Sequence, residues 1–262
     1  NYPCDHYDVV VISDQMGPET NERLAALPVI LEMVRFENST KAKALNLALG
    51  HLTGYDIALI LDADNTIGPD YLNQINVVPF AGNIVGYQTH RTAKNKNTSL
   101  AYLDAVSEEI NNTNFRPVHV NMGLSAALIG SGMAFDFELI KKVLSNIQAI
   151  GGFPDAYVLD EKVQNRRDFA RQRRRWLSAQ FHYLREFIGD MPGALMNRNW
   201  DFCDKLFQQM SIPRLLLLGE TFIIALVITC ISWPVSLKWW VLLCLLIVSL
   251  LLAVPGSLYT RH

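Results

Sequence analysis

The sequence predicts an α/β fold, a mostly parallel sheet flanked by helices, followed by interfacial helices and C-terminal transmembrane helices. Three observations carry that expectation. Short apolar runs end in polar residues, as buried parallel strands do; Val9-Val10-Val11-Ile12, for example, runs into Ser13-Asp14. Helical patterns alternate with these runs, which argues for a parallel sheet. Two long apolar stretches then follow Arg214.

Taken in order, Val9 to Ile12 is the first strand and Val29 to Phe36 the second. Ser39 to Gly50 reads as a helix, with good helix formers inside, Ser39 as cap and Gly50 as terminator. Ile57 to Leu61 is the third strand. Ile84 to Thr89 is a fourth whose alternation places it nearer a sheet edge. Asn97 to Ile110 is an amphipathic helix. Gly130-Ser131-Gly132 is a flexible turn before a helix over Asp136 to Ser145. Arg166 to Ile188 is a long helix, with Phe169, Gln172, Arg175, Trp176 and Ala179 sharing a face, and Pro192-Gly193 breaks it. Trp200 to Met210 is a short amphipathic helix with Phe202, Leu206, Phe207 and Met210 on one side. Such a helix lies in a membrane interface or packs on a core; the pattern leaves both open.

Leu215 to Trp233 and Trp239 to Val254 are each somewhat short of the ~20 residues that span a bilayer. Pro234 to Lys238 separates them, bracketed by Trp233, Trp239 and Trp240 as an aromatic belt would be. Arg214 and Arg261 favour a cytoplasmic position for both outer ends, with Lys238 opposing weakly. A buried hairpin is the alternative, and two adjacent spans with aromatic flanks are hard to bury in a domain of this size.

Half of the 262 residues are apolar and the net charge is -2, so no global attraction to nucleic acid exists. Charge is nevertheless patterned: six arginines lie between Arg166 and Arg175 against one acid, Asp168. The cysteines Cys4, Cys203, Cys230 and Cys244 show no paired spacing, which excludes a disulfide framework or a zinc site and fits a reducing compartment. No signal-peptide pattern opens the chain; Asn1-Tyr2-Pro3 reads as the middle of a loop.

Two strings carry chemistry. Asp62-Ala63-Asp64 follows the apolar run Ile57 to Leu61, which places two carboxylates at the carboxyl edge of a sheet, where open α/β sheets bind ligands. Two oxygen donors suit Mg2+ or Mn2+ with a diphosphate filling other positions. Taken alone, an Asp-x-Asp triplet also occurs as a loop cap or a solvated acid pair. Gln172-Arg173-Arg174-Arg175-Trp176 supplies guanidinium groups, which clamp phosphate through planar paired hydrogen bonds, and an aromatic face of the kind that holds a sugar ring. A basic helix is also a common solvated face or lipid contact.

In this order the strings resemble those of a family 2 glycosyltransferase with a GT-A fold, of the membrane-integrated type that includes cellulose, hyaluronan and poly-N-acetylglucosamine synthases. Ile12-Ser13-Asp14 resembles the acid-ended strand that holds the nucleobase. Lys41-Ala42-Lys43-Ala44-Leu45-Asn46 resembles the helix start near the nucleotide, and Asp62-Ala63-Asp64 the metal motif. Gly130-Ser131-Gly132 resembles the turn near the donor and acceptor sugars. Gln172 to Trp176 resembles the Gln-x-x-Arg-Trp motif of processive members.

The resemblance implies a catalytic domain over residues 1–188, an interfacial amphipathic region over 189–213 and two transmembrane helices over 214–262. It implies inverting transfer from a UDP-sugar to a growing polysaccharide at the cytoplasmic face of a membrane, as in a bacterial inner membrane, by a metal-dependent hexosyl- or N-acetylhexosaminyltransferase. Asp14, Lys43, Asn46, Asp62, Gly130, Ser131 and Gly132 would bind the nucleotide sugar, and Asp64 with Asp62 the Mg2+ or Mn2+. Arg175 would hold the diphosphate, with Gln172 and Trp176 near the acceptor. The implied partners are UDP-sugar, a glycan acceptor, the lipid bilayer and export or accessory subunits, without nucleic acid. Transfer of one sugar to a lipid carrier, or an inactive nucleotide-sugar-binding subunit, are the alternatives.

Two departures stand out. The family's opening strand has no counterpart after Asn1, which places it upstream. Its catalytic base lies in a Thr-Glu-Asp-like motif after a turn like Gly151-Gly152-Phe153. Here that turn runs directly into Pro154-Asp155-Ala156-Tyr157, and Asp160-Glu161 resembles a later acid pair. The expectation is therefore a catalytic segment missing between Phe153 and Pro154, with Asp155 and Asp160 poor candidates for the base.

Overall fold

The computed structural model describes residues 2–37, 39–78, 80, 84, 86–142, 150–210 and 214–254; the side chains of 114–115, 150–157 and 214–215 lie outside that description. The chain order is β1 (Val10–Asp14), α1 (Pro18–Ala25), β2 (Ile30–Val34), α2 (Lys41–His51), β3 (Ile57–Ile60), β4 (Thr66–Ile67), α3 (Tyr71–Asn76), β5 (Gly86–Ala93) and α4 (Ser99–Ile110). A π-helical turn, Asn111–Phe115, leads into α5 (Arg116–Asn121). Then come β6 (Met133–Asp136), α6 (Phe137–Lys142), β7 (Ile150–Asp160), α7 (Arg166–Phe187), α8 (Met191–Met196), α9 (Trp200–Met210), α10 (Arg214–Ile231) and α11 (Trp233–Leu252).

The architecture is α/β, as expected. Among the described residues, β1 and β2 pair in parallel, and five further strands form a sheet in the order β3-β6-β5-β7-β4. This sheet is mixed: β5 and β7 pair in parallel, while the β3–β6, β6–β5 and β7–β4 pairings are antiparallel. Hence β3, β5 and β7 run one way, and their carboxyl ends share one edge.

Both faces of the sheet are buried, because successive side chains of a strand point to opposite sides. On one face Tyr71 and Ile75 of α3 pack on Ala134 and Val158, with Ile57, Leu59 and Leu61 around them. On the other, Ile60, Met133 and Phe135 meet Leu45 of α2 and Ile140 of α6. Each large side chain fully buried in this way contributes roughly 1.5–3 kcal/mol. Gly86 leaves room for the Phe135 ring: a Cβ there would stand 2.5 Å from its Cδ1.

The strand expected near an edge is the central one. β5 is buried along most of its length although it reads Gly-Tyr-Gln-Thr-His-Arg-Thr-Ala. Its polar side chains tolerate burial because each finds partners. Gln88 donates to the carbonyls of Ser131 (2.9 Å) and Gly132 (3.1 Å), Thr89 Oγ1 donates to the Gly132 carbonyl (2.8 Å), and Thr92 donates to Glu109 (2.7 Å). Alternation of polar and apolar residues, read as exposure, here reports a buried polar network.

Helix boundaries differ from the expectation where capping decides them. Thr40, not Ser39, caps α2, its hydroxyl accepting from the Lys43 amide, and Gly50 lies inside that helix. Thr98 caps α4. The helix expected over Asp136 to Ser145 is α6, with Asp136 accepting from the Leu139 amide (2.8 Å); residues 143–149 lie outside the described residues. Pro192 and Pro234, read as breaks, instead occupy the first turns of α8 and α11. A first-turn proline gives up an amide that has no helical partner anyway, and its φ suits the helix. The break between the last two helices therefore shrinks to Ser232.

With that extension α11 is the one described helix long and apolar enough to cross a membrane; the apolar part of α10, Leu216–Ile231, is shorter. The pair packs together, with Phe222 and Trp240 edge to face at 5.8 Å and the Trp240 indole donating to Thr229 Oγ1 (3.0 Å). The end of α11 also touches the α/β domain, where Thr113 Oγ1 donates to the Ala253 carbonyl (3.1 Å). α9 divides its apolar residues between two directions: Cys203 and Leu206 are buried, while Trp200, Phe207 and Met210 are exposed.

Candidate active site

The carboxyl edge of the parallel strands gathers the acids. β3 ends at Ile60, and Asp62 and Asp64 follow it; Asp160 ends β7. The turn Gly130-Ser131-Gly132 crosses beside them. Gly132 takes φ +66°, and a Cβ there would stand 2.7 Å from Thr89 Oγ1, so the position requires glycine on two counts. Its amide donates to the Ile60 carbonyl (2.9 Å), which seats the turn on the end of β3. Ser131 Oγ accepts from the Asp62 amide (3.1 Å) and contacts Asn65 Oδ1.

Of the residues expected to form the site, the structure brings Asp62, Asp64, Gly130, Ser131 and Gly132 together. It adds Lys41, Asn65 and Asp160, which motif reading did not select. Lys41 ion-pairs with Asp62 and donates to the Gly130 carbonyl (2.6 Å). Asn65 Nδ2 reaches Asp64 Oδ1 (3.2 Å) and Asp160 Oδ1 (3.1 Å). Lys43 and Asn46 are exposed on α2, and it is Lys41 that reaches Asp62. The preference of Asn for a short loop after a strand was the available signal for Asn65; nothing in the local sequence separates Lys41 from Lys43.

Asp14 lies at the end of β1. Its Oδ2 accepts from Ser39, while its Oδ1 is buried with no hydrogen-bond partner among the described residues. Residues 39–41 thus connect both acid-ended strands: Ser39 meets Asp14 and Lys41 meets Asp62. The partial positive charge at the start of α2 favours acids in that position.

Electrostatically, the edge is short of positive charge. The Asp64 carboxyl is pushed up from its ordinary value, first by partial burial and then by the carboxylates of Asp160, Asp62 and Glu161. No group of three or more His, Cys, Asp or Glu side chains stands ready to enclose a metal ion among the described residues. The donor set still fits Mg2+ or Mn2+, which are commonly held by one or two carboxylates, with water and substrate phosphate completing the shell. Asp64, destabilised by its neighbours' charge, is the carboxylate a cation would relieve.

Behind this edge lies a buried charged cluster. Glu108 of α4 receives Arg91 (3.0 Å) and Arg116 (3.2 Å), with Lys162 at 3.5 Å. Burial would raise the Glu108 carboxyl, but Arg91, Lys162 and Arg116 outweigh it and hold the group at about 2. Lys162 also meets Asp160 (3.0 Å) and Asp104 (3.8 Å).

On α7 the arginines divide. Arg173 ion-pairs with Asp104 of α4, and its guanidinium lies over the rings of Phe169 (5.0 Å) and Trp176 (4.9 Å). Arg174 and Arg175 are exposed, as is Trp176 at 44%. Gln172 Oε1 is buried without a partner among the described residues. Asn165 caps the helix, accepting from the Arg167 amide (2.9 Å).

No protein-family model and no curated protein matches the chain. Among solved structures, the chain is similar to mannosyltransferase PcManGT from Pyrobaculum calidifontis in complex with GDP-Man and Mn2+, at 18% identity and a TM-score of 0.47, over 95% of this chain and 78% of that one. It is similar to mannosyl-3-phosphoglycerate synthase from Rubrobacter xylanophilus at 17% identity and a TM-score of 0.43, over 69% of this chain and 64% of that one. A mycobacterial protein gives 13% identity and a TM-score of 0.39, over 60% of this chain and 57% of that one. The chain thus spans more than two thirds of the first of these proteins and less than two thirds of the other two. Likeness at this level carries no argument about substrate or reaction; the α/β class stands on the chain's own strands and helices.

Proposed function

We propose that this chain is a GT-A-type, metal-dependent glycosyltransferase that moves a sugar, with inversion, from a UDP-sugar to a growing glycan at a membrane. The observation that carries the reading is the meeting of Asp62 with the Gly130–Gly132 turn and Lys41 at the carboxyl edge of β3, with Asp64 joined to it through Asn65. This is where an open α/β sheet takes its ligand, and its surplus of acid suits a cation paired with a diphosphate.

In this reading Asp14 Oδ1, buried and without a hydrogen-bond partner among the described residues, accepts a hydrogen bond from the base of the nucleotide. Asp64, with Asp62, holds Mg2+ or Mn2+, which neutralises charge on the leaving diphosphate. Arg175, exposed on α7, supplies a phosphate-binding fork, and Gln172 and Trp176 face the acceptor. Inversion requires a carboxylate to take the acceptor's hydroxyl proton. Neither Asp155 nor Asp160 is assigned that role; Asp160 is already taken up by Lys162 and Asn65. The membrane reading, with the catalytic domain on the cytoplasmic side, draws support from α11 and from the exposed aromatic side of α9.

The test is UDP release from membranes containing the protein, with a panel of UDP-sugars and Mn2+ or Mg2+, beside Asp64→Ala. Release with one sugar, lost in the variant, is the expected result. Near-normal turnover in Asp64→Ala overturns the metal assignment, and no release with any sugar overturns the transfer reading.

A further inference from the structure

The Gln-x-x-Arg-Trp resemblance gives roles to Gln172, Arg175 and Trp176 and none to Arg173. We propose that Arg173 is a positioning residue: it orients the indole of Trp176 and, through Asp104 and Lys162, fixes that indole relative to the acid edge that carries Asp64. The geometry is independent of the proposed function; its consequence for sugar transfer rests on that reading.

Three constraints converge on the one guanidinium. Phe169, Arg173 and Trp176 fall four and three residues apart, so they share one stripe of α7. Arg173 lies over both rings, at 5.0 and 4.9 Å, and pairs with Asp104 at its edge. A planar guanidinium satisfies an acid in its plane and rings on its faces together, which an ammonium group does not. Asp104 is a firm anchor, since its side chain is only 10% exposed and is also met by Lys162, itself 3% exposed.

From Lys162 the contacts continue without interruption. Lys162 Nζ meets Asp160 at 3.0 Å, Asp160 accepts from Asn65 at 3.1 Å, and Asn65 donates to Asp64 at 3.2 Å. Asp64, Asn65, Asp160, Lys162, Asp104, Arg173 and Trp176 therefore form one chain of polar and cation–π contacts. It crosses from the end of β3 through β7 and α4 to α7. An exposed tryptophan held in one orientation loses less freedom when a ligand stacks on it. It also keeps that ligand at a set distance from the donor, and a misplacement of about 1 Å there costs on the order of a hundredfold in rate.

The experiment has two arms on the full chain in detergent. In the first, acrylamide quenching of tryptophan fluorescence is measured with and without Trp176→Phe, so that the difference isolates Trp176. Arg173→Gln and Asp104→Asn are expected to expose Trp176 to the quencher, whereas Arg174→Gln leaves it unchanged. Unchanged quenching in Arg173→Gln overturns the proposal, whatever the protein's activity. In the second arm, UDP affinity and sugar transfer are measured together. Arg173→Gln is expected to lower transfer by between about tenfold and a hundredfold while UDP affinity is retained. Arg173→Lys does not rescue it, and Arg173→Gln adds no further loss in a Trp176→Ala background. Loss of UDP affinity in step with transfer makes Arg173 a diphosphate ligand and overturns the proposal, as does an additive loss. Absence of transfer in the unmodified protein overturns the functional reading alone, and the fluorescence arm still decides this one.

Discussion

Two charged clusters share Asp160 and differ in balance. At the sheet edge, the one ion pair of Asp62 and Asp64 among the described residues is Lys41–Asp62, more than 40% exposed on each side, with the carboxylates of Asp160 and Glu161 nearby. Behind it, Glu108, Asp104 and Asp160 face Arg91, Arg116, Lys162 and Arg173, and most of these side chains are nearly closed to solvent. The inner cluster pairs each of its acids with buried or half-buried cations, and folding completes it. The outer one stays acidic, and in the proposed function a ligand cation completes it. Shifted carboxyls mark functional sites and structural networks alike; the direction separates them here, up at Asp64 and down at Glu108.

The largest expected effect breaks the inner cluster. Glu108→Ala leaves Arg91, Arg116 and Lys162 without their shared acid in a buried site. Removing one partner from such a group costs about 3–5 kcal/mol. Denaturant unfolding in detergent measures it. A loss below about 1 kcal/mol would mean that water or neighbouring acids replace Glu108 freely, and that the two clusters do not differ as described.

Acid should weaken the same cluster reversibly. Glu108 is held at about 2 in the folded chain against an ordinary value of 4.5. A carboxyl depressed on folding contributes stability that is complete above the unfolded value and lost as pH falls through the folded one. The window is therefore pH 4.5 down to about 2, and the contribution at stake is about 3 kcal/mol. Unfolding measured at several pH values should show a steeper acid loss in the unmodified protein than in Glu108→Gln. Parallel curves would remove Glu108 as the source.

How much of this was legible in sequence follows the range of the interaction. Ile57 to Leu61 followed by Asp62-Ala63-Asp64 declared both a strand and its acid-bearing end, because strand burial and edge position are local properties. Thr40 in place of Ser39, and Pro234 inside α11, are one-turn decisions that capping settles. The inner cluster was not legible. Asp104 and Glu108 sit on the same α4 stripe as Ala101 and Ala105 and look like solvated acids in a linear reading. Only the placement of β5 at the centre of the sheet brings Arg91 to them. The same placement explains why Gln88 and Thr89, polar and alternating, mark the middle of the sheet.

The smallest stability effect is expected at the outer cluster, and its sign sharpens the comparison. The Asp64 carboxyl is raised in the folded chain, chiefly by partial burial and the charge of Asp160, so its charge opposes folding. Asp64→Asn removes that charge and keeps an oxygen to accept from Asn65. Without added metal it should unfold within about 0.5 kcal/mol of the unmodified protein, on the stabilising side. Added Mn2+ with UDP should raise the melting temperature of the unmodified protein, as any ligand of the folded state does, and should leave Asp64→Asn where it was. If Asp64→Asn instead melts several degrees lower without metal, Asp64 belongs to the structural network through Asn65. The division between a fully paired interior and an edge with surplus acid then fails at the residue that defines it.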